Sequence, residues 1–242
     1  MHKNKLSNTS AIILCGGKGS RLGSLGRTKN KTLIKYNGYP LIYHIVKYLR
    51  KYNIEEIIMP LGYRSNQVQK YLNKNLSKKD LKIFNAGLNT NITNRIKKSI
   101  KYLKNETENI ILINGDSYYE FDLNKLINKK ICTKKILINL MCTKLKLDYG
   151  FIEKKNTQVN FRYKTKIFKK FIDLNGNYNF FYSGLCAIER NYLERNLGKI
   201  KKNFEIELFN KAVKNKKLGF TYDDNFFFQV NNSADLKTLY DK

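Results

Sequence analysis

Glycines and cations crowd one short stretch, LCGGKGSRL at residues 14–22, and an apolar run, AIIL at 11–14, feeds into it. Glycine has no Cβ, so Gly16, Gly17 and Gly19 allow successive backbone N–H groups to turn towards one anion. Lys18 and Arg21 add cationic donors, and a guanidinium can hold a phosphate through two parallel hydrogen bonds. A flexible loop of this composition suits a polyphosphate. It is not a dinucleotide fingerprint, because Leu22 stands where the third glycine belongs, and it is not a P-loop, because no Gly-Lys-Ser/Thr closes it. An ordinary strand-to-loop turn with exposed cations is the alternative. A second apolar run, NIILIN at 109–114, ends on Gly115 and Asp116. A carboxylate there can face the glycine loop, and Mg²⁺ favours one or two carboxylates together with phosphate oxygens. The alternative for Asp116 is a turn aspartate that caps local backbone.

These groups meet only if the strands that carry them lie side by side. The first half of the chain alternates in a way that would do this. AIIL, EEIIMPLG, LKIFNAG and NIILIN read as strands, and PLIYHIVKYLRKY, NQVQKYLNK and TNRIKKSIKYL as helices. Pro40 falls near the first turn of the first helix, with Leu41, Ile45 and Leu49 on one stripe; Ile96, Ile100 and Leu103 form the inner face of the third. Short connections between alternating strands and helices argue a parallel sheet covered on both faces. In the second half ILINLMCT, YGFIEK, TQVNFRY, NFFYSGLCAIE and NFFFQV are strand-like, and helices are expected at IELFNKAVKN and at ADLKTLYDK, capped by Ser233. The expected fold is α/β, a Rossmann-like, mostly parallel sheet with helices on both faces and a small antiparallel extension in the C-terminal half. Ligands of such sheets bind outside the carboxyl ends of the strands. Residues 1–242 read as one domain with no clean internal boundary.

Composition bounds the partners. The 47 Lys+Arg against 19 Asp+Glu give a formal charge of +28, which points to a polyanion. Lys, Asn, Ile, Tyr and Phe are all abundant and share AT-rich codons, and the lysines are spread along the chain, so a small phosphate-bearing ligand is favoured over nucleic acid. Cys15, Cys132, Cys142 and Cys186 each lie beside apolar residues and form no CxxC pair, and neither His2 nor His44 is near a cysteine. They read as buried free thiols of a reducing compartment, without zinc. No stretch approaches a membrane span, and the apolar run after Met1–Ser10 is too short for a signal peptide. A cytoplasmic protein without a membrane partner is expected.

With these motifs in order, LCGGKGSRL resembles the L-x-G-G-x-G-x-R-L signature of the nucleoside-triphosphate transferases that activate sugar 1-phosphates. NKTLIKYNGYPLIYHIVKYL resembles the segment that follows it in that family, with Lys31 on the signature lysine, and IIMPLGYRSNQVQKYL resembles the next strand and helix. The resemblance covers most of the chain, is strongest in residues 11–120, and implies a nucleotide-binding half at about 8–125 and an acceptor-binding half at about 126–242. It implies a Rossmann-like fold and nucleotidyl transfer to a phosphorylated acceptor with loss of pyrophosphate. It gives catalytic roles to Arg21, Lys31 and Asp116, with Asp116 holding Mg²⁺, and nucleotide contacts to Gly16, Gly17, Gly19, Ser20, Arg21, Thr90 and Arg95. VNFRYK resembles the family's acceptor segment, which puts Lys164 on the acceptor phosphate while Tyr163 replaces a sugar-binding glutamate. FYSGLCAIE resembles the strand beside the acceptor and puts Gly184 near it. A homo-oligomer is compatible with the family.

GLNTNITNRIKKSIKYL is most similar to the glucose-1-phosphate cytidylyltransferase branch, which makes CTP the favoured triphosphate. Heptose-1-phosphate guanylyltransferases and cytidylyltransferases acting on phosphocholine or a phosphorylated amino acid are close branches. Two departures stand out. Thr93 and Asn94 replace paired glycines near the base, and Gln229 or Asn231 stands where the family has a second metal aspartate. The missing carboxylate motivates an alternative, a nucleotide-binding relative without turnover; a basic nucleic-acid binder is the third reading.

Overall fold

The structure, a computed structural model, describes residues 6–54, 56–77, 81–128, 131, 133–143, 151–155, 158–162, 171–172, 178–179, 181–232 and 235; within residues 151–179 only backbone is described. In chain order the elements are β1 (Thr9–Leu14), α1 (Gly23–Thr28), β2 (Lys35–Tyr36), β3 (Tyr39–Pro40), α2 (Leu41–Lys51), β4 (Ile57–Leu61), α3 (Ser65–Asn75), β5 (Leu81–Asn85), α4 (Ile92–Ile100), β6 (Asn109–Asn114), β7 (Ser117–Tyr119) and α5 (Leu123–Leu126). They continue with β8 (Ile138–Thr143), β9 (Phe151–Lys155), β10 (Gln158–Arg162), β11 (Phe171–Ile172), β12 (Tyr178–Asn179), β13 (Phe181–Glu189), α6 (Arg190–Leu197), α7 (Phe204–Lys214), β14 (Leu218–Tyr222) and β15 (Phe227–Gln229).

Seven strands form one sheet in the order β14-β8-β13-β6-β1-β4-β5. β1 pairs in parallel with β4 and with β6, and β4 with β5, so the four strands of the first half form a continuous parallel block. β13 runs antiparallel between β6 and β8. Along the parallel strands side chains alternate between faces, as a pleated strand requires. Ala11, Ile13, Ile57, Met59, Ile111 and Ile113 join one core with residues of α2 and α3, including Ile45, Leu49, Val68 and Leu72. Ile12, Ile58, Ile110 and Leu112 join the other with Ile96 of α4, Leu193 of α6 and Leu208 of α7. Near-continuous apolar strands are therefore buried on both sides, which is the expected Rossmann-like layer arrangement. The antiparallel piece is present as the β9–β10 and β11–β12 pairs.

Pro40 is the N-cap of α2, and Leu41, Ile45 and Leu49 are buried as the stripe requires. In α4 the expected helix ends at Ile100, and buried Leu103 follows in a turn. Among the departures from the sequence expectation, three bear on the site and the sheet. Residues 16–34 are not a flexible loop: a 3₁₀ turn at Ser20–Leu22 runs into α1, and a second turn spans Lys31–Leu33. Helix α6 follows β13 directly, capped by Glu189, whose carboxylate accepts from Tyr192 N at 2.6 Å. Strand β14 adds a parallel edge to β8; all five of its residues are exposed or half-buried, so it carries no clear apolar alternation. Ser233 and the helix expected after it lie outside the described residues.

Candidate active site

The carboxyl ends of β1, β4, β5 and β6 share one edge of the sheet, and the chemistry-bearing residues gather along it. Beyond β1, Cys15 is buried and Gly16 half-buried, while Gly17, Lys18, Ser20 and Arg21 are exposed. Burial pushes the Cys15 thiol up to about 12, so it stays neutral beneath the loop. Gly19 has φ 64°, a left-handed conformation that favours glycine, and a Cβ there would lie 2.9 Å from Lys31 Cγ. The short helical turns press the loop against the sheet edge: Asn30 caps the second turn through Thr32 N at 3.0 Å and donates its side-chain amide to Tyr63 O at 2.5 Å. Lys31 is thereby fixed one residue after a buried anchor.

Lys31 Nζ lies 2.8 Å from Asp116 Oδ2, with side chains 15% and 22% exposed. The residues that the sequence separates by 85 positions are thus one ion pair. Gly115, which the sequence placed at this strand end without a role, makes this possible: a Cβ on it would lie 2.9 Å from Cys15 Cβ and 3.0 Å from Thr32 Cγ2. β15 pairs antiparallel with β7, Gln229 opposite Ser117, and Val230 N donates to Asp116 O at 3.0 Å. That register brings the Gln229 amide to Asp116 Oδ1 at 3.4 Å. Of the two candidate side-chain amides, Gln229 is the one bonded to Asp116 among the described residues. Among the described residues no three His, Cys, Asp or Glu side chains converge. The Asp116 carboxylate fits Mg²⁺ as a hard cation; the Gln229 amide would join it only by turning its oxygen to where its nitrogen now donates, with phosphate oxygens and water completing the shell.

Gly184 sits where the β13 register shifts, between Tyr182 and Cys186. Its φ is 75°, and a Cβ would lie 2.2 Å from the amide nitrogen of Asn114, the last residue of β6. The expected acceptor glycine therefore lies beside the strand that delivers Asp116. Lys164 and Tyr163 lie outside the described residues. Thr90 is half-buried, and its hydroxyl donates to Ala86 O at 2.5 Å. Arg95 is 4% exposed and donates to four backbone carbonyls: Nε to Thr90 (2.9 Å), Nη1 to Pro60 (3.2 Å), Nη2 to Gly16 (3.3 Å) and to Gly87 (2.9 Å). Burial pulls its pKa down from the ordinary arginine value, and neighbouring Cys15 pushes the other way. Gly62 and Gly87 complete this arrangement and carried no periodic signal in the sequence.

A Rossmann-like sheet with a glycine-rich loop, a lysine and an aspartate at its carboxyl edge defines a nucleotide-handling α/β protein. A model of the nucleotidyl transferase family matches residues 10–224, and the chain belongs to that family. It is a sugar-phosphate nucleotidyltransferase. It is 30% identical over 166 residues to a D-glycero-alpha-D-manno-heptose 1-phosphate guanylyltransferase of Campylobacter jejuni, covering 69% of this chain and 72% of the relative. A probable glucose-1-phosphate cytidylyltransferase of Bacillus subtilis is 38% identical, over only 61 residues, 25% of this chain and 24% of that one. Among solved structures, one described as a glucose-1-phosphate thymidylyltransferase of Bacillus anthracis superposes with a TM-score of 0.72 at 17% identity, over 96% of this chain and 93% of the other. This last likeness is one of fold. The guanylyltransferase match is far longer than the cytidylyltransferase match, so the family is shown and the expected place nearest the cytidylyltransferase branch is not. Among the described residues no helix is long and apolar enough to cross a membrane.

Proposed function

We propose that the protein transfers the nucleoside monophosphate of a nucleoside triphosphate, GTP before CTP, to a sugar 1-phosphate, releasing pyrophosphate. One observation carries the reading: the glycine loop, Lys31 and Asp116 converge at a single sheet edge, with Lys31 and Asp116 2.8 Å apart. A phosphate oxygen of the acceptor attacks the α-phosphorus, the bond to the β-phosphate oxygen breaks, and pyrophosphate leaves with the electron pair. Such a displacement needs positioning and charge neutralisation more than covalent chemistry.

Gly16, Gly17, Gly19 and Ser20 would hold the triphosphate through backbone and hydroxyl donors at the loop. Arg21 and Lys31 would offset charge on the α-phosphoryl group and the leaving pyrophosphate. Asp116 and the Gln229 amide oxygen would hold Mg²⁺, which when bound neutralises phosphate charge. Lys31 then has two partners in turn, Asp116 in the free protein and phosphate in the complex. The loop holding Thr90, together with Arg95, serves the nucleotide from the β5–α4 side, and Gly184 and Lys164 serve the acceptor.

GTP is placed first because the guanylyltransferase relative covers 69% of this chain and the cytidylyltransferase relative 25%. Thr93 and Asn94, in place of paired glycines, also weaken the motif that favoured CTP. The acceptor is proposed to be an aldose 1-phosphate larger than or different from an ordinary hexose, because Tyr163 replaces the expected sugar-binding glutamate. The test is pyrophosphate release from GTP, CTP, UTP, ATP and dTTP, each with a panel of hexose and heptose 1-phosphates. The expected result is turnover with GTP. Tenfold better turnover with CTP would restore the cytidylyltransferase reading, and none with any pair would favour nucleotide binding without catalysis.

A further inference from the structure

Arg95 is a buried cation whose partners are all neutral. The residue is 4% exposed, and its guanidinium donates to the carbonyls of Gly16, Pro60, Gly87 and Thr90. Among the described residues no carboxylate pairs with it. The four carbonyls mark the carboxyl ends of β1, β4 and β5 and the turn before α4. Two glycines make room for it: a Cβ at Gly16 would lie 1.9 Å from Nη1, and a Cβ at Gly62 would lie 2.4 Å from Nη2. Gly16 is therefore glycine because of what lies on its protein side, whereas a Cβ at Gly17, on the open side, would meet nothing within 4 Å. A guanidinium is a fixed fork of donors that keeps its charge, so it can tie several carbonyls at once where a lysine ammonium cannot match the geometry. Carbonyl dipoles solvate that charge without cancelling it, and its field reaches an anion bound at the adjoining loop through poorly screening protein.

We propose that Arg95 is a positioning residue for the triphosphate: it locks the glycine loop and the Gly87–Thr90 loop in one arrangement and supplies an uncancelled positive charge beneath them, without touching the nucleotide itself. This rests on the nucleotidyltransferase reading above, and deepens it by giving Arg95 an indirect role.

The experiment titrates the full-length protein calorimetrically with inorganic tripolyphosphate and, separately, with GTP and Mg²⁺. Arg95→Met should weaken tripolyphosphate binding by about tenfold or more, and Arg95→Lys, which keeps the charge but not the fork, by less. Millimolar guanidinium should restore part of the loss in Arg95→Ala, which a merely unfolded variant does not show. Gly62→Ala keeps the charge and crowds the guanidinium, so it should weaken binding as well; it keeps the idea testable if the arginine variants fail to fold. Wild type that binds with a folded Arg95→Met or Gly62→Ala that binds equally overturns the Arg95 role alone. Wild type that binds neither probe overturns the nucleotide reading, and the role with it.

Discussion

The two edges of the parallel block are each pinned by one buried ion, of opposite sign. At the amino edge Glu56 is 5% exposed and joins three strands. Its carboxylate accepts from Ser10 Oγ of β1 at 2.5 Å and, just before β6, from Thr107 Oγ1 at 3.2 Å and from Lys104 N at 3.1 Å. At the carboxyl edge Arg95 joins β1, β4 and β5 through four carbonyls. The signs follow from what strand ends offer. The acid is held by hydroxyl and N–H donors and the base by C=O acceptors, so neither needs a counter-ion. The difference lies in the surroundings. Ser10 and Thr107 are 2% and 4% exposed, so the amino edge is sealed. Gly17, Lys18, Ser20 and Arg21 are exposed beside Arg95, so the carboxyl edge opens to solvent. A buried ion in a sealed edge serves the fold alone, while the same device beside an open loop can also serve a ligand.

Substitutions at the two edges should therefore separate catalysis from stability. The largest effect is expected at Asp116: Asp116→Asn should lower turnover by about 10³-fold or more, with the melting temperature nearly unchanged, as read by pyrophosphate release and calorimetry. An active Asp116→Asn would break the comparison, because the open edge would then lack its metal carboxylate. Arg21→Ala and Lys31→Ala should each cost about 10²-fold in kcat/KM, roughly 3 kcal/mol of transition-state stabilisation. Lys31→Ala also removes the resting partner of Asp116, so Mn²⁺ should bind the nucleotide-free protein more tightly than it binds wild type, measured by electron paramagnetic resonance.

Glu56→Ala should show the reverse signature. It removes the buried acceptor shared by the Ser10 and Thr107 hydroxyls and the Lys104 N–H, so stability should fall by roughly 3 kcal/mol in urea titrations. kcat/KM per folded molecule should stay at the wild-type value; a specific loss of activity would mean that the sealed edge is not purely architectural. The smallest contrast is within the loop. Gly16→Ala forces the Arg95 guanidinium aside and should weaken triphosphate binding by about tenfold, whereas Gly17→Ala points into open space and should change it by about twofold or less.

The strands of the first half were readable because their apolar runs are local signals. The same holds for the α2 stripe of Leu41, Ile45 and Leu49, and for Asp116 at the end of NIILIN. Helix α6 was missed although Tyr192, Leu193, Asn196 and Leu197 are its buried face, because its charged residues masked a short pattern. Strand β14 was missed because an edge strand has little apolar alternation to read.

The sequence by itself determined which residue types could meet a polyphosphate, and it determined the layered sheet that would bring them to one edge. Only the tertiary structure decided how they are used. Gln229 rather than Asn231 reaches Asp116 because β15 pairs with β7 in a register that sets Gln229 opposite Ser117, beside Asp116. Arg95 reads from sequence as a nucleotide contact. In the fold its guanidinium spans 35 positions to Pro60 and 79 to Gly16, and four of its five N–H donors are held by backbone carbonyls. Periodicity reports which face of an element is buried. It carries no information on where a long side chain ends, because that depends on the strands packed around it.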